Sequence, residues 1–275
     1  MRTADQVMND PILRPRSAWD HIKLSCYFVG LIALSLLYCG GAQAREKLQL
    51  IGATNHSEKL LLAGLEMTMD PGWHTYWRHP GDSGIAPTFD WSKSQNVAEI
   101  EVLWPAPLRF DQPGDMTIGY KDRIVWPVLV RPTDPAKPVM LRLSMHYGVC
   151  SDICIPGRVD LHLTMSDEAT SENDHLIRQF LTRVPSEPDD GVEITAYAEK
   201  DRLIVSVSKM ADDPALIIEG PSGIWFGKPI AKRDGKSIHY AVPFESTNAA
   251  KLKGADVALV FSGTHTAIKA TRTVK

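Results

Sequence analysis

The sequence predicts an all-β protein: an antiparallel β-sandwich, then one helix with a linker, then a second, smaller β-domain. Three observations carry that expectation. Short runs of alternating apolar and polar residues recur along the chain, turn-forming clusters separate them, and a single stretch carries the helical period instead. A period of two sends successive side chains to opposite faces of a sheet, so each such run is read as a strand.

The first segment is not read as part of the fold. Arg14, Arg16 and Lys23 precede the apolar run CYFVGLIALSLLYC (26–39), and GGAQA (40–44) supplies small residues behind it. This is the pattern of a signal peptide over residues 1–44, with cleavage expected after Ala44. The apolar run is shorter than the roughly 20 residues a spanning helix needs. Lipid attachment at Cys39 is disfavoured because Tyr38 stands where a small residue is wanted. The expected product is therefore exported and soluble, with the periplasm as its compartment, and Cys150 and Cys154 are its two cysteines.

Over residues 45–166, LLLAGLEMTM (60–69), IVWPVLV (124–130), VMLRLSM (139–145) and VDLHLTM (159–165) alternate as strands. DPG (70–72), HPGDSG (79–84) and DQPGD (111–115) punctuate them as turns. An antiparallel sandwich accommodates this rhythm. Helix and linker are expected over 167–190. SENDHLIRQFLTRV (171–184) places Leu176, Ile177, Phe180, Leu181 and Val184 on one helical face, with Ser171 or Asn173 available as cap. Strand patterns resume over 191–275 at 192–198, 202–208, 215–220, 237–244 and 256–263. That second domain holds no cysteine and no acid, base and nucleophile cluster, so its expected role is structural or partner-binding.

Charge narrows the partners. The chain has 30 basic and 33 acidic residues, a formal net charge of −3, interspersed without a basic stripe. Nothing here would neutralise a phosphate backbone, and nucleic acid is excluded as an expected partner.

The segment HYGVCSDICIPG (146–157) carries the chemistry. Its two cysteines lie between two strand patterns, so they are placed at the mouth of a hairpin with Ser151, Asp152 and Ile153 at the tip, and an exported pair of this kind is normally joined. Three readings compete. A structural staple is the default, but closing so short a loop stabilises by only about 2 kcal/mol in the loop-entropy model, which favours exchange chemistry. A copper or zinc site could use His146, Cys150 and Cys154, yet spacing by four aligns ligands on a helix and this segment reads as strand and turn. Thioredoxin-like chemistry wants a helix directly after the first cysteine, whereas Pro156 and Gly157 are read here as starting a turn.

Three segments in order, GWHTYWRHPGDSG (72–84), GYKDRIVWPV (119–128) and YGVCSDICIP (147–156), resemble the N-terminal periplasmic domain of the thiol:disulfide interchange protein DsbD, and more closely its ScsB-like relatives. The resemblance covers roughly residues 48–165. It implies an immunoglobulin-like sandwich whose cysteines pass electrons without a cofactor or metal, from a membrane thiol reductase of the DsbD core type to periplasmic thioredoxin-like or disulfide isomerase-like proteins. It implies Cys154 as the attacking thiolate and Cys150 as the resolving thiol. Cytochrome c biogenesis, isomerase recycling and copper tolerance are the pathways such a protein could serve.

The resemblance also maps a cap loop onto residues 111–115, beginning at Asp111, with Phe110 as its nearest aromatic and Tyr120 just beyond it. Trp73, Tyr76 and Trp77 are expected either in the sandwich core or on a partner-docking surface. Arg78, His74 and His79 could lend positive charge to a thiolate, although an ordinary surface role is the plainer expectation. Asp82 is read as a turn former, and Asp152 as a charge that disfavours a neighbouring thiolate. The rival readings to exchange are a non-catalytic envelope binding or assembly module with a permanent disulfide, and a copper-handling protein.

Overall fold

The computed structural model describes residues 46–53, 60–81, 84–112, 115–165, 170–245, 249–264 and 267–275. The signal-peptide expectation therefore falls outside the described residues, as does Asp82. Among the described residues no helix is long and apolar enough to cross a membrane.

The chain is all-β with two helices among the described residues. Strands β1 (Glu46–Gly52), β2 (Leu61–Met69), β3 (His74–Gly81), β4 (Thr88–Asp90), β5 (Val97–Val102), β6 (Leu108–Gln112), β7 (Asp115–Lys121), β8 (Arg123–Pro132), β9 (Val139–Cys150) and β10 (Cys154–Met165) build an immunoglobulin-like sandwich. One sheet runs β1-β2-β8-β5; the other runs β10-β9-β3-β7-β6, with β4 beside β9. Every pairing is antiparallel.

Helix α1 (Ser171–Leu181) lies against β8 and β1. Its N-cap is Thr170, one residue before the expected Ser171, and the Thr170 hydroxyl accepts from the Asn173 amide at 3.2 Å. That bond satisfies one of the orphan donors of the first turn. The buried face is Ile177 and Phe180. Because the helix covers the outside of the first sheet, the middles of β2 and β8 are buried on both faces, which is why residues 124–128 are inaccessible in succession instead of alternating.

Gly64 makes the close helix approach possible. A Cβ there would stand 2.8 Å from Ile177 Cγ1 and 2.9 Å from Val125 Cγ1. Gly64→Ala is expected to destabilise the protein by about 1–3 kcal/mol through overpacking, read as a lower urea midpoint at unchanged m-value.

The second domain is a smaller sandwich of β11 (Ile194–Glu199), β12 (Arg202–Val207), β13 (Ala215–Glu219), β14 (Ile230–Asp234), β15 (Ser237–Pro243), β16 (Asp256–Ser262) and β17 (Ala267–Thr273), with the short α2 (Ala249–Leu252). Its sheets run β11-β12-β15-β14 and β13-β16-β17. Leu203, Val205, Tyr240 and Val242 from one sheet meet Leu216, Val257, Leu259 and Phe261 from the other. The outer face of the three-stranded sheet is buried too: Ile217 and Val260 pack into the first domain's core. Within the expected linker, Ser186 forms a parallel bridge to Ile268 of β17, its carbonyl accepting from the Lys269 amide at 2.8 Å.

Candidate functional site

The β9–β10 ladder runs without interruption from Val139 opposite Met165 to Cys150 opposite Cys154. The expectation that Pro156 and Gly157 start a turn is corrected here, since both belong to β10, opposite Gly148 and Tyr147. Proline is tolerated because β10 is the edge of its sheet and its missing N–H deprives no ladder of a donor. Gly157 lies flat under the Tyr147 ring, where a Cβ would come within 2.4 Å of Tyr147 Cζ. Tyr147 in turn donates to Glu46 Oε1 at 3.0 Å, tying β1 to the hairpin. Burial, then that bond, push the Tyr147 phenol well above its ordinary range.

At the tip Cys150 and Cys154 are joined, their α-carbons 4.2 Å apart. The two sulfurs are not equivalent. Cys150 is 5 % exposed and ends a strand inside the sheet, opposite His74 of β3, whereas Cys154 is exposed. Ile153, 70 % exposed, and Ile155 flank Cys154 with apolar surface.

Tyr76 reaches the exposed cysteine from below, its hydroxyl 3.1 Å from Cys154 Sγ. A disulfide sulfur carries no proton, so the phenol is the donor in this bond. The ring is held by Gly148, where a Cβ would lie 3.0 Å from Tyr76 Cε2 and 2.8 Å from Ile85 Cβ, and Thr75 fixes the same residue by donating to the Gly148 carbonyl at 2.8 Å. His74 meets Tyr76 edge-on at 5.5 Å and Phe110 at 5.3 Å between centroids, and Lys121 Nζ stands 4.5 Å from the Phe110 centroid. His74 and Tyr76 thus stand beside the disulfide, with Phe110 and Lys121 ranged beyond His74.

In the reduced protein the Tyr76 phenol is placed to hydrogen-bond a Cys154 thiolate, and a bond to a charged acceptor is worth about 1.5–3 kcal/mol. Tyr76→Phe keeps the ring and removes only this donor. It is expected to lower the thiolate fraction of Cys154 about tenfold at neutral pH, checked by the pH dependence of alkylation in a Cys150→Ala background.

The other expected site residues lie elsewhere. Trp77 is 1 % exposed and Tyr120 is buried with its hydroxyl donating to the Pro105 carbonyl at 2.8 Å; neither offers surface to a partner. Burial holds the Tyr120 phenol well above the usual tyrosine range. Trp73 is also in the core. Trp77 and Tyr120 point into the sandwich because alternation along β3 and β7 sends them to its inner face, and Trp73, just before β3, packs into the same core. Asp111 pairs with Met116 and Gln112 with Asp115 in the β6–β7 hairpin, whose tip, residues 113 and 114 of the expected cap, falls outside the described residues. Asp152 is exposed at the tip.

His146 is not placed to share a metal with the cysteines. It lies four strand residues from Cys150, roughly 13 Å along β9, because a strand rises about 3.3 Å per residue. No cluster of three or more His, Cys, Asp or Glu suited to a metal occurs among the described residues. Gly148, Thr75 and Lys121 were not singled out from the sequence. The run YGVC did carry one signal, a small residue two before the cysteine within a strand, which marks a close approach.

Residues 51–166 match the family model described as thiol:disulfide interchange protein DsbD, N-terminal, and residues 183–275 match a domain of unknown function, DUF8393. Among solved structures the chain is similar to the N-terminal periplasmic domain of ScsB from Proteus mirabilis, with a TM-score of 0.71 and 23% identity, over 85% of this chain and 95% of that one. So broad a match takes in the second domain as well as the first. No curated protein matches the chain.

Proposed function

On the premise that residues 51–166 form a DsbD N-terminal-like domain, we propose that this protein passes electrons through Cys150 and Cys154, from a membrane thiol reductase of the DsbD core type to oxidised thioredoxin-like or disulfide isomerase-like proteins of the periplasm. The observation that carries the reading is the asymmetry of the pair, one sulfur presented on an apolar tip and the other withdrawn into the sheet. The leader-like N-terminus and the similarity to a periplasmic domain support the compartment.

The steps follow from that asymmetry. In the reduced form the Cys154 thiolate attacks one sulfur of the partner's disulfide, a Cys154–partner bond forms, and the partner's second sulfur leaves as a thiolate. Cys150, deprotonated in turn, attacks Cys154 Sγ. The intramolecular disulfide forms, the partner departs as a dithiol, and two electrons have passed from this chain to it. Re-reduction reverses the sequence, the reductase thiolate attacking the accessible Cys154 sulfur while Cys150 leaves. The protein's own residues supply access, through Ile153 and Ile155, and a hydrogen bond to the reacting sulfur, through Tyr76.

The reduction potential tests this directly. Equilibration with glutathione or dithiothreitol buffers is expected to give a value above about −300 mV, the range of exchanging disulfides. A value well below it would make the bond a permanent staple and leave an assembly module in its place.

A further inference from the structure

The second domain reaches the redox strand through a carboxylate. Alternation along β13 puts Leu216 in its own core and Ile217 in the first domain's core, so Glu219, two residues on, faces the first domain as well. There Arg78 Nε and Nη2 donate to Glu219 Oε1 at 3.1 and 2.7 Å, and His79 Nε2 lies 3.0 Å from Glu219 Oε2. The Arg78 guanidinium also sits 4.4 Å above the Trp77 ring. Glu219 is 15 % exposed at its side chain, while Arg78 and His79 stay open to solvent at 39 % and 59 %, so these contacts act by geometry more than by charge.

The grip falls where β3 is least held by its neighbours. The β3–β7 register is regular from His74 opposite Lys121 to Tyr76 opposite Gly119, then shifts, resuming only at Gly81 opposite Thr117. Trp77 to Pro80 therefore face the single residue Ile118, while β9 pairs with β3 only at His74 and Thr75. The irregular stretch begins directly after Tyr76. Arg109 of β6 gives a second tie on the same side, donating to the Gly227 carbonyl at 3.4 Å.

We propose that Glu219 is a positioning residue for thiol–disulfide exchange: by holding Arg78 and His79 it fixes the loosely paired end of β3 and keeps the Tyr76 hydroxyl against Cys154. This assigns the second domain a role in the exchange reaction and rests on the exchange reading above. It acts through Tyr76 and touches neither sulfur.

Because the role is exerted through Tyr76, its mark is non-additivity. In the full chain carrying Cys150→Ala, the rate of Cys154 alkylation by iodoacetamide is measured across pH for the parent, Tyr76→Phe, Glu219→Gln and the combination. Glu219→Gln is expected to slow alkylation about threefold at neutral pH and to move the midpoint upward. It should add nothing once Tyr76 is Phe, and the charge-reversed pair Arg78→Glu with Glu219→Arg should recover the parental profile. An unchanged profile for Glu219→Gln, or an equal slowing with Phe at position 76, overturns the proposal. Should Glu219→Gln fail to fold, Arg78→Gln breaks the same contact from the other side, with the same expected and overturning results. Alkylation needs no protein partner, so a failure to find exchange partners would sink the proposed function without touching this measurement.

Discussion

A Cys150→Ala variant incubated with periplasmic extract is expected to accumulate a covalent adduct through Cys154, and a Cys154→Ala variant to accumulate none. Under the proposed function the first substitution removes the resolving thiol, which is withdrawn into the sheet, and leaves the accessible nucleophile in place. The mixed disulfide then forms and has no internal route to release, because the second attack must come from a sulfur whose α-carbon lies 4.2 Å away. Turnover should fall by at least about a hundredfold in both variants, since the proximity that Cys150 supplies is worth several powers of ten in effective concentration. Non-reducing gels followed by mass spectrometry read the adduct. Adducts through Cys150 in the Cys154→Ala protein, equal in yield, would reverse the assignment of roles, and adducts in neither would remove it.

Trp126→Ala is expected to cost about 3–5 kcal/mol of stability, the largest effect of any single substitution considered. Trp126 lies at the centre of the sandwich, fully buried, where Phe89, Trp104 and Tyr120 meet it with centroids at 6.0, 6.3 and 5.8 Å. Near edge-to-face arrangements of this kind add about 0.5–1.5 kcal/mol per pair beyond the area they bury. Against a total stability of about 5–15 kcal/mol, the loss would bring the protein close to unfolding at physiological temperature. Urea denaturation followed by the remaining tryptophan fluorescence measures it. A loss below about 1 kcal/mol would mean that the ring cluster closes over the void.

Where one face of a strand meets water, the sequence disclosed it. β9 and β10 alternate from end to end of their cores, and 139–145 and 159–165 were legible for that reason. The continuation of both strands to the cysteines was hidden by Pro156 and Gly157, which locally read as a turn but are accommodated by an edge position and a flat tyrosine. β14 escaped notice because all five of its residues are exposed, leaving no apolar period to detect. β17 escaped because only one of its seven positions is buried. The cysteines themselves were plain from composition. Their surroundings were not: Tyr76 is 78 residues from Cys154 and Glu219 is 141 from Arg78, and no local pattern encodes contacts at such separations.

The unequal accessibility of the two sulfurs bears on survival as well as on traffic. A peroxide that reaches the reduced hairpin meets one thiolate, and oxidises it to a sulfenic acid. The withdrawn neighbour can condense with that group, expelling water and restoring the ordinary oxidised form before a second or third oxygen is added. Under the proposed function, oxidative injury at this tip is thereby folded back into the exchange cycle.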